Sequence, residues 1–254
     1  MNSQLNRRQG FSLIEMLVSV AVFTVVMASV FSLLIASQQR YQAESERLDT
    51  FQSARQAIDL MVRDIHIAGY PPANAFSPAV QAASPQLVAL PFGWSPNYPA
   101  APCTVGVNCS ATGGPDPFDL IIETDVDPLA ANGVEWIRYR LNGTTLERGM
   151  ATKTAGADPA NTTLPFMVPY VENVMNNTSV AQMTNLRNFY NGLFPGNLPV
   201  PVFTYQFNVG AAANVPGAIR TVNITLIVLS PNVDPKTRQP IVVTLTGFAR
   251  RVNP

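Results

Sequence analysis

From Phe11 to Ala36 the chain runs for 26 residues with a single charge, Glu15, and residues 16–36 carry none. About 20 apolar residues suffice for a helix to cross the hydrocarbon core of a bilayer. The segment is therefore long enough to span, and whatever folds after it must hang from its far end. Arg7 and Arg8 precede it; by the positive-inside tendency they hold the leader in the cytoplasm and send everything beyond residue 36 across the membrane. A secretory signal has a shorter apolar core that ends in a small-residue cleavage site. Here the small residue, Gly10, stands before the apolar run, so cleavage after it would remove the basic leader and leave the helix on the mature chain.

No glycine or proline occurs from Phe11 to Ala68. Nothing interrupts a single helix of up to 58 residues, about 87 Å at the usual rise, and Gly69 followed by Pro71 and Pro72 supplies a cap position and then a stop. Tyr41, Leu48, Phe51, Ile58, Val62 and Ile65 recur at spacings near three, four and seven, leaving Glu44, Arg47, Asp59 and Arg63 on other faces. That stripe predicts packing under a globular sheet; a free coiled coil is the alternative.

All 22 prolines lie beyond residue 70, which makes the rest of the chain loop-rich and poor in long helices. Residues 70–117 read mostly as loop, with "QLVAL" (86–90) as one short strand candidate. "FDLII" (118–122) and "VEWIRYRL" (134–141) are strand-like, and the second runs through Asn142-Gly143 into "TTLER", a hairpin signature in which both turn positions tolerate positive φ. After a polar excursion at 151–198 come "VFTYQFNV" (202–209), "IRTVNITLIVL" (219–229) with Val222, Ile224, Leu226 and Val228 on one face, and "IVVTLTGFARRV" (241–252). The turn-rich "SPNVDPKTRQP" between the last two suits an antiparallel pair. The expectation is α+β: one head domain whose antiparallel sheet lies on the amphipathic half of the helix, with long loops and no internal repeat.

The register of "GFSLIEMLVSVAVF" resembles the type IV prepilins, the class of pilins and of the pseudopilins of type II secretion. The resemblance implies a cut by prepilin peptidase between Gly10 and Phe11, N-methylation of Phe11, and a Glu15 that attracts the amino terminus of a neighbouring subunit during assembly. It implies a cytoplasmic leader at 1–10, a transmembrane and filament-core helix at 11–36, its amphipathic continuation at 37–68, and a periplasmic or extracellular head at 69–254. The order of strands over 118–252 is similar to larger minor pilins and to the minor pseudopilin usually called J. Many major pilins have a helix-breaking proline where this chain has Ser32, which fits a minor subunit better than a shaft subunit. The implied partners are other pilins or pseudopilins through the amino-terminal helix, the peptidase, and an inner-membrane assembly platform. The implied role is a low-copy, minor pilin-like subunit of a type IV pilus, at the tip or in a priming complex. The alternatives are a minor pseudopilin of type II secretion and a membrane-anchored adhesin or DNA-uptake module.

Charge and residue inventory narrow the chemistry. Lys plus Arg equals Asp plus Glu, 16 each, so the balance asks for no nucleic-acid partner. His66 is the only histidine; it falls on the helix near the apolar stripe, a structural or surface position, so no hydrolase triad is visible and no enzyme or cofactor is expected. Cys103 and Cys109 enclose "TVGVN"; in an exported chain they close a small loop as a disulfide, or they stay as two thiols. With one histidine and no second cysteine pair they make no four-ligand metal site. Asp116, Asp119, Glu123, Asp125 and Asp127 gather five carboxylates in twelve residues. The spacing matches no EF-hand, which leaves a solvated acidic loop or a calcium site. Arg250 and Arg251 read as edge-strand charges that discourage aggregation, or as a contact for a partner or DNA.

Overall fold

The computed structural model describes residues 11–93, 115–129, 133–177, 198–208, 210, 215–234 and 238–253. Helix α1 (Leu13–Ile67) is continuous for 55 residues, as the absence of helix breakers requires. It ends where expected: Ala68 is its cap, and Gly69 takes φ +79°, a left-handed conformation that glycine adopts at least cost.

Two antiparallel sheets follow instead of the single one expected. The first runs β1 (Asp119–Thr124), β2 (Glu135–Asn142), β3 (Thr145–Thr152), β4 (Val168–Val171), in that spatial order. The second runs β5 (Phe203–Phe207), β6 (Ile219–Val233), β7 (Pro240–Arg250). A bridge between Val174 and Val228 joins them. Helix α1 packs against β6 and β7, and its contacts with β1 and β4 are fewer. A continuous core unites Ala54, Ala57, Met61 and Ile65 of α1 with Leu120, Ile137 and Val171 of the first sheet and Val222, Ile224 and Leu226 of the second.

The far face of the first sheet is covered too, by α3 (Pro159–Thr163) and the turn at Leu164–Phe166. This is why β2 is buried along nearly its whole length and carries Trp136 and Arg138 inside. Proline at the first turn and Asp158, whose carboxylate accepts the Ala160 N–H at 2.8 Å, start α3. Helix α2 (Pro78–Ala83) begins in the same way on Ser77.

Four details depart from expectation. The "QLVAL" segment is not a strand: a 3-10 turn occupies Pro85–Leu87, and the pairing moves on to Phe92, which bridges Ile122. The hairpin turn is shifted by one residue, because Asn142 still pairs with Thr145. Gly143 and Thr144 then form the turn, and of the two only Gly143 has positive φ, as in a type II′ turn. The excursion at 151–198 holds α3 and β4, both too short for periodicity to reveal.

The helical stripe is the fourth. Ile58 and Ile65 are buried and Val62 is partly so, yet Tyr41, Leu48 and Phe51 remain exposed. The seated face is instead Thr50, Ala54, Ala57, Ile58, Met61, Asp64 and Ile65. Small residues are used because the approach is close: a Cβ on Gly247 of β7 would fall 2.4 Å from Ile58 Cγ2 and 3.5 Å from Val62 Cγ2. Ile58 is β-branched and cannot step aside by a rotamer change. Gly247→Val is accordingly expected to cost about 1–3 kcal/mol by overpacking, read as a lower urea midpoint for the full chain in mild detergent; an unchanged midpoint would show that helix and sheet part easily.

Candidate functional site: the amino-terminal assembly segment

The amino-terminal end of α1 is built from a cap and an apolar run. Ser12 is the residue before the first turn, with extended backbone (φ −69°, ψ 143°). Its N–H donates to Glu15 Oε2 at 3.0 Å. This is the glutamate half of a capping box, and it sets a carboxylate at the positive end of the helix dipole. Gly10 lies outside the described residues; Phe11, on its other side, is exposed.

Every described residue from Phe11 to Gln42 is exposed. The hydroxyls within this run turn back on the helix: Ser19 Oγ donates to the Glu15 carbonyl, Thr24 Oγ1 to the Val20 carbonyl and Ser29 Oγ to the Val26 carbonyl, each at 2.7 Å. These polar groups thus find partners without water, which is what an apolar surrounding demands. By length and composition α1 is able to cross a membrane. None of its residues from Phe11 to Gln42 is buried by the described residues of the head, and only its last turn, at Ala36, Gln39 and Arg40, comes near the head, sharing a cleft with Asp234.

The head fixes the other half. Asp64, 2% exposed on the buried face of α1, accepts from Tyr139 Oη at 2.7 Å and from Arg148 Nη2 at 3.0 Å. Arg148 Nε also donates to Tyr139 Oη at 3.0 Å. Burial, together with the Asp64 carboxylate, pushes the Tyr139 hydroxyl well above its ordinary value, so it stays protonated and donating.

The acidic group on and beside β1 is dispersed. Asp119 Oδ1 and Oδ2 take Arg138 Nε at 2.8 Å and Nη2 at 2.5 Å. Glu123 Oε1 accepts from Trp136 Nε1 at 3.0 Å, and Oε2 from Lys153 Nζ at 2.7 Å and the Leu90 N–H at 2.8 Å. Asp116 Oδ1 accepts the Phe118 N–H and Asp127 Oδ1 the Leu129 N–H. Burial and the neighbouring Asp119 raise Asp116 to about 7, and burial raises Asp125. Among the described residues no three His, Cys, Asp or Glu side chains come together as a metal site. His66 is exposed on α1, while Cys103 and Cys109 lie outside the described residues.

Sequence reasoning passed over Arg138, Lys153, Tyr139 and Arg148. The available signal was parity. Trp136 and Arg138 share one face of β2, and Tyr139 lies on the other with Ile137 and Leu141, so a charge on one side and a hydroxyl on the other stood among core positions of a strand read only for its apolar content.

Comparison with curated proteins and with solved structures gave no match. A family model described as the prokaryotic N-terminal methylation motif matches residues 5–31. That stretch covers Arg7 and Arg8, Gly10, Phe11 and Glu15 and the first turns of a helix able to cross a membrane, so the chain carries the type IV prepilin signature.

Proposed function

We infer that the chain is a minor, low-copy structural subunit of a type IV pilus, made as a precursor, cleaved after Gly10 and methylated on Phe11. The observation that carries this reading is the division of α1. From Phe11 to Gln42 it is exposed, and apolar as far as Ala36, while from Thr50 to Ile65 one face of it is locked into the head. An apolar helical half with no cover from the described residues of its own chain needs lipid first and other helices afterwards, which is the life of a pilin subunit before and after assembly. In that reading the head faces the periplasm, and Glu15 draws the Phe11 amino group of a neighbour. A head of this size, with its loops, suits a tip or priming position better than dense repetition along a shaft. The uninterrupted helix through Ser32 favours the same placement and equally supports a minor pseudopilin of type II secretion.

The test is the intact mass and amino-terminal sequence of the protein from native membranes and from sheared filaments. A chain that starts at methylated Phe11 and appears in the sheared fraction at low abundance is the expected result. An uncleaved chain would instead support a membrane-anchored binding module, and finding it as the main component of the filaments would overturn the minor role.

A further inference from the structure

The two sheets have four outer edges, and three are closed. β1 is paired along its rim: Gly93 N–H donates to the Ile121 carbonyl, Glu123 N–H to the Pro91 carbonyl, and Gly69 N–H to the Glu123 carbonyl. β4 is four residues long and contains Pro169. β5 is five residues long, and the Pro117 carbonyl accepts both the Val202 and Phe203 N–H groups at its start. These are the usual ways of blunting an edge. β7 has none of them. It is 11 residues long, has no internal proline, and carries no charge before Arg250.

The direction of its free backbone groups follows from the hydrogen bonds of β6. Thr225 N–H donates to the Val202 carbonyl, the Ile227 carbonyl accepts from Met175 N–H, and Leu229 N–H donates to the Asn173 carbonyl. These three residues therefore point away from β7. Their partners across the ladder are Thr246, Thr244 and Val242, which by the alternation of an antiparallel pair point away from β6. Phe248 continues the series, and Arg251, bonded to the Arg220 carbonyl, falls on the opposite parity as it should. Val242, Thr244, Thr246 and Phe248 thus turn to the open side N–H and C=O groups that have no partner among the described residues. Thr244, Thr246 and Phe248 are also exposed at the side chain, Phe248 by 60%.

We propose that the open edge of β7 receives an extended segment of a different subunit by strand addition, one that is uncharged over its centre and carries carboxylates at its ends. The charges at the ends of β7 select the occupant. Arg238 stands at one end, with Arg250 and Arg251 at the other. A second copy of β7, antiparallel and centred on Thr244, would set Arg250 against Arg238, and a parallel copy would set each arginine beside its twin. Like charges so placed oppose self-pairing, whereas acidic flanks on the incoming strand complement both ends. Main-chain bonds would supply affinity and the alternate side chains specificity. This inference depends on the head alone and stands whether or not the chain is cleaved or enters a filament.

The experiment uses the full chain in detergent micelles with two synthetic peptides of about nine residues, alternating valine and threonine, one ended by glutamates and the other by lysines. Binding is read by anisotropy and by amide hydrogen exchange. The expected result is that the glutamate-ended peptide slows exchange at Val242, Thr244, Thr246 and Phe248, and that the lysine-ended peptide binds at least about tenfold more weakly. Thr246→Pro should abolish binding with little loss of stability, since that N–H has no partner among the described residues, whereas Leu245→Pro, which removes a bond to β6, should destabilise the sheet. Three outcomes overturn the proposal: equal binding of the two peptides, no slowing at those amides, or slowing that rises with protein concentration in the absence of peptide, which would make the occupant a second copy. The exchange measurement on the unsubstituted chain decides the matter even if the proline variant does not fold.

Discussion

Arg138→Met is expected to destabilise the head by about 3–5 kcal/mol, enough to leave much of it unfolded in a protein of ordinary stability. Both Asp119 and Arg138 are at most 2% exposed at the side chain. Arg138 supplies both hydrogen bonds that the Asp119 carboxylate accepts from side chains and donates a third through Nη1 to the Ala160 carbonyl at 2.7 Å, tying α3 to the sheet. Burial pushes Asp119 up and Arg138 pulls against it; without the guanidinium the acid must either stay charged in an apolar layer or take up a proton. The measurement is urea unfolding followed by tryptophan fluorescence, since Trp136 is buried on the same face. The double variant Asp119→Leu, Arg138→Met is expected to recover much of the loss, because replacing both partners leaves no orphaned charge. A loss under about 1 kcal/mol for the single variant would mean that the pair behaves as if at the surface.

Glu15→Ala, on the proposed reading, is cleaved and methylated normally but missing from sheared filaments. A carboxylate in lipid costs several kcal/mol unless paired or close to the headgroups, so its retention calls for a partner made available only at assembly. In the isolated chain Glu15 has a second task, the cap on Ser12 N–H. Glu15→Gln separates the two, because an amide oxygen still caps the helix but carries no charge. Loss of incorporation in both variants, with processing intact, assigns the role to charge. Normal incorporation of the glutamine variant would assign it to the cap, and normal incorporation of the alanine variant would remove Glu15 from assembly altogether.

The features legible in the sequence were those with long or sharp signals. The length of α1 followed from the missing breakers, its end from Gly69 and the prolines, and β6 from the run of alternating apolar residues around Val222 to Val228. The prepilin signature was readable because Gly10, Phe11 and Glu15 stand in one register with basic residues before them. What was hidden depended on distance. Which face of α1 would be seated could not be read from side-chain size, since the deciding contact is Gly247 against Ile58, almost 190 residues apart in the chain. The five carboxylates looked like a cluster because they are adjacent in sequence. Their partners, Arg138 and Trp136 on β2 and Lys153 just past the end of β3, draw the two on β1 into separate buried networks.

The seating of α1 also determines how the molecule bears load. A pull on the head does not have to reach the helix through the backbone at Ala68 and Gly69 alone. It passes sideways along Thr50 to Ile65, where Ile58 is wedged under Gly247 and Asp64 is held from the sheet by Tyr139 and Arg148. Contacts arranged along the axis of tension resist in shear, many at once, so the head should detach by abrupt failure of the whole seam rather than by peeling from one end.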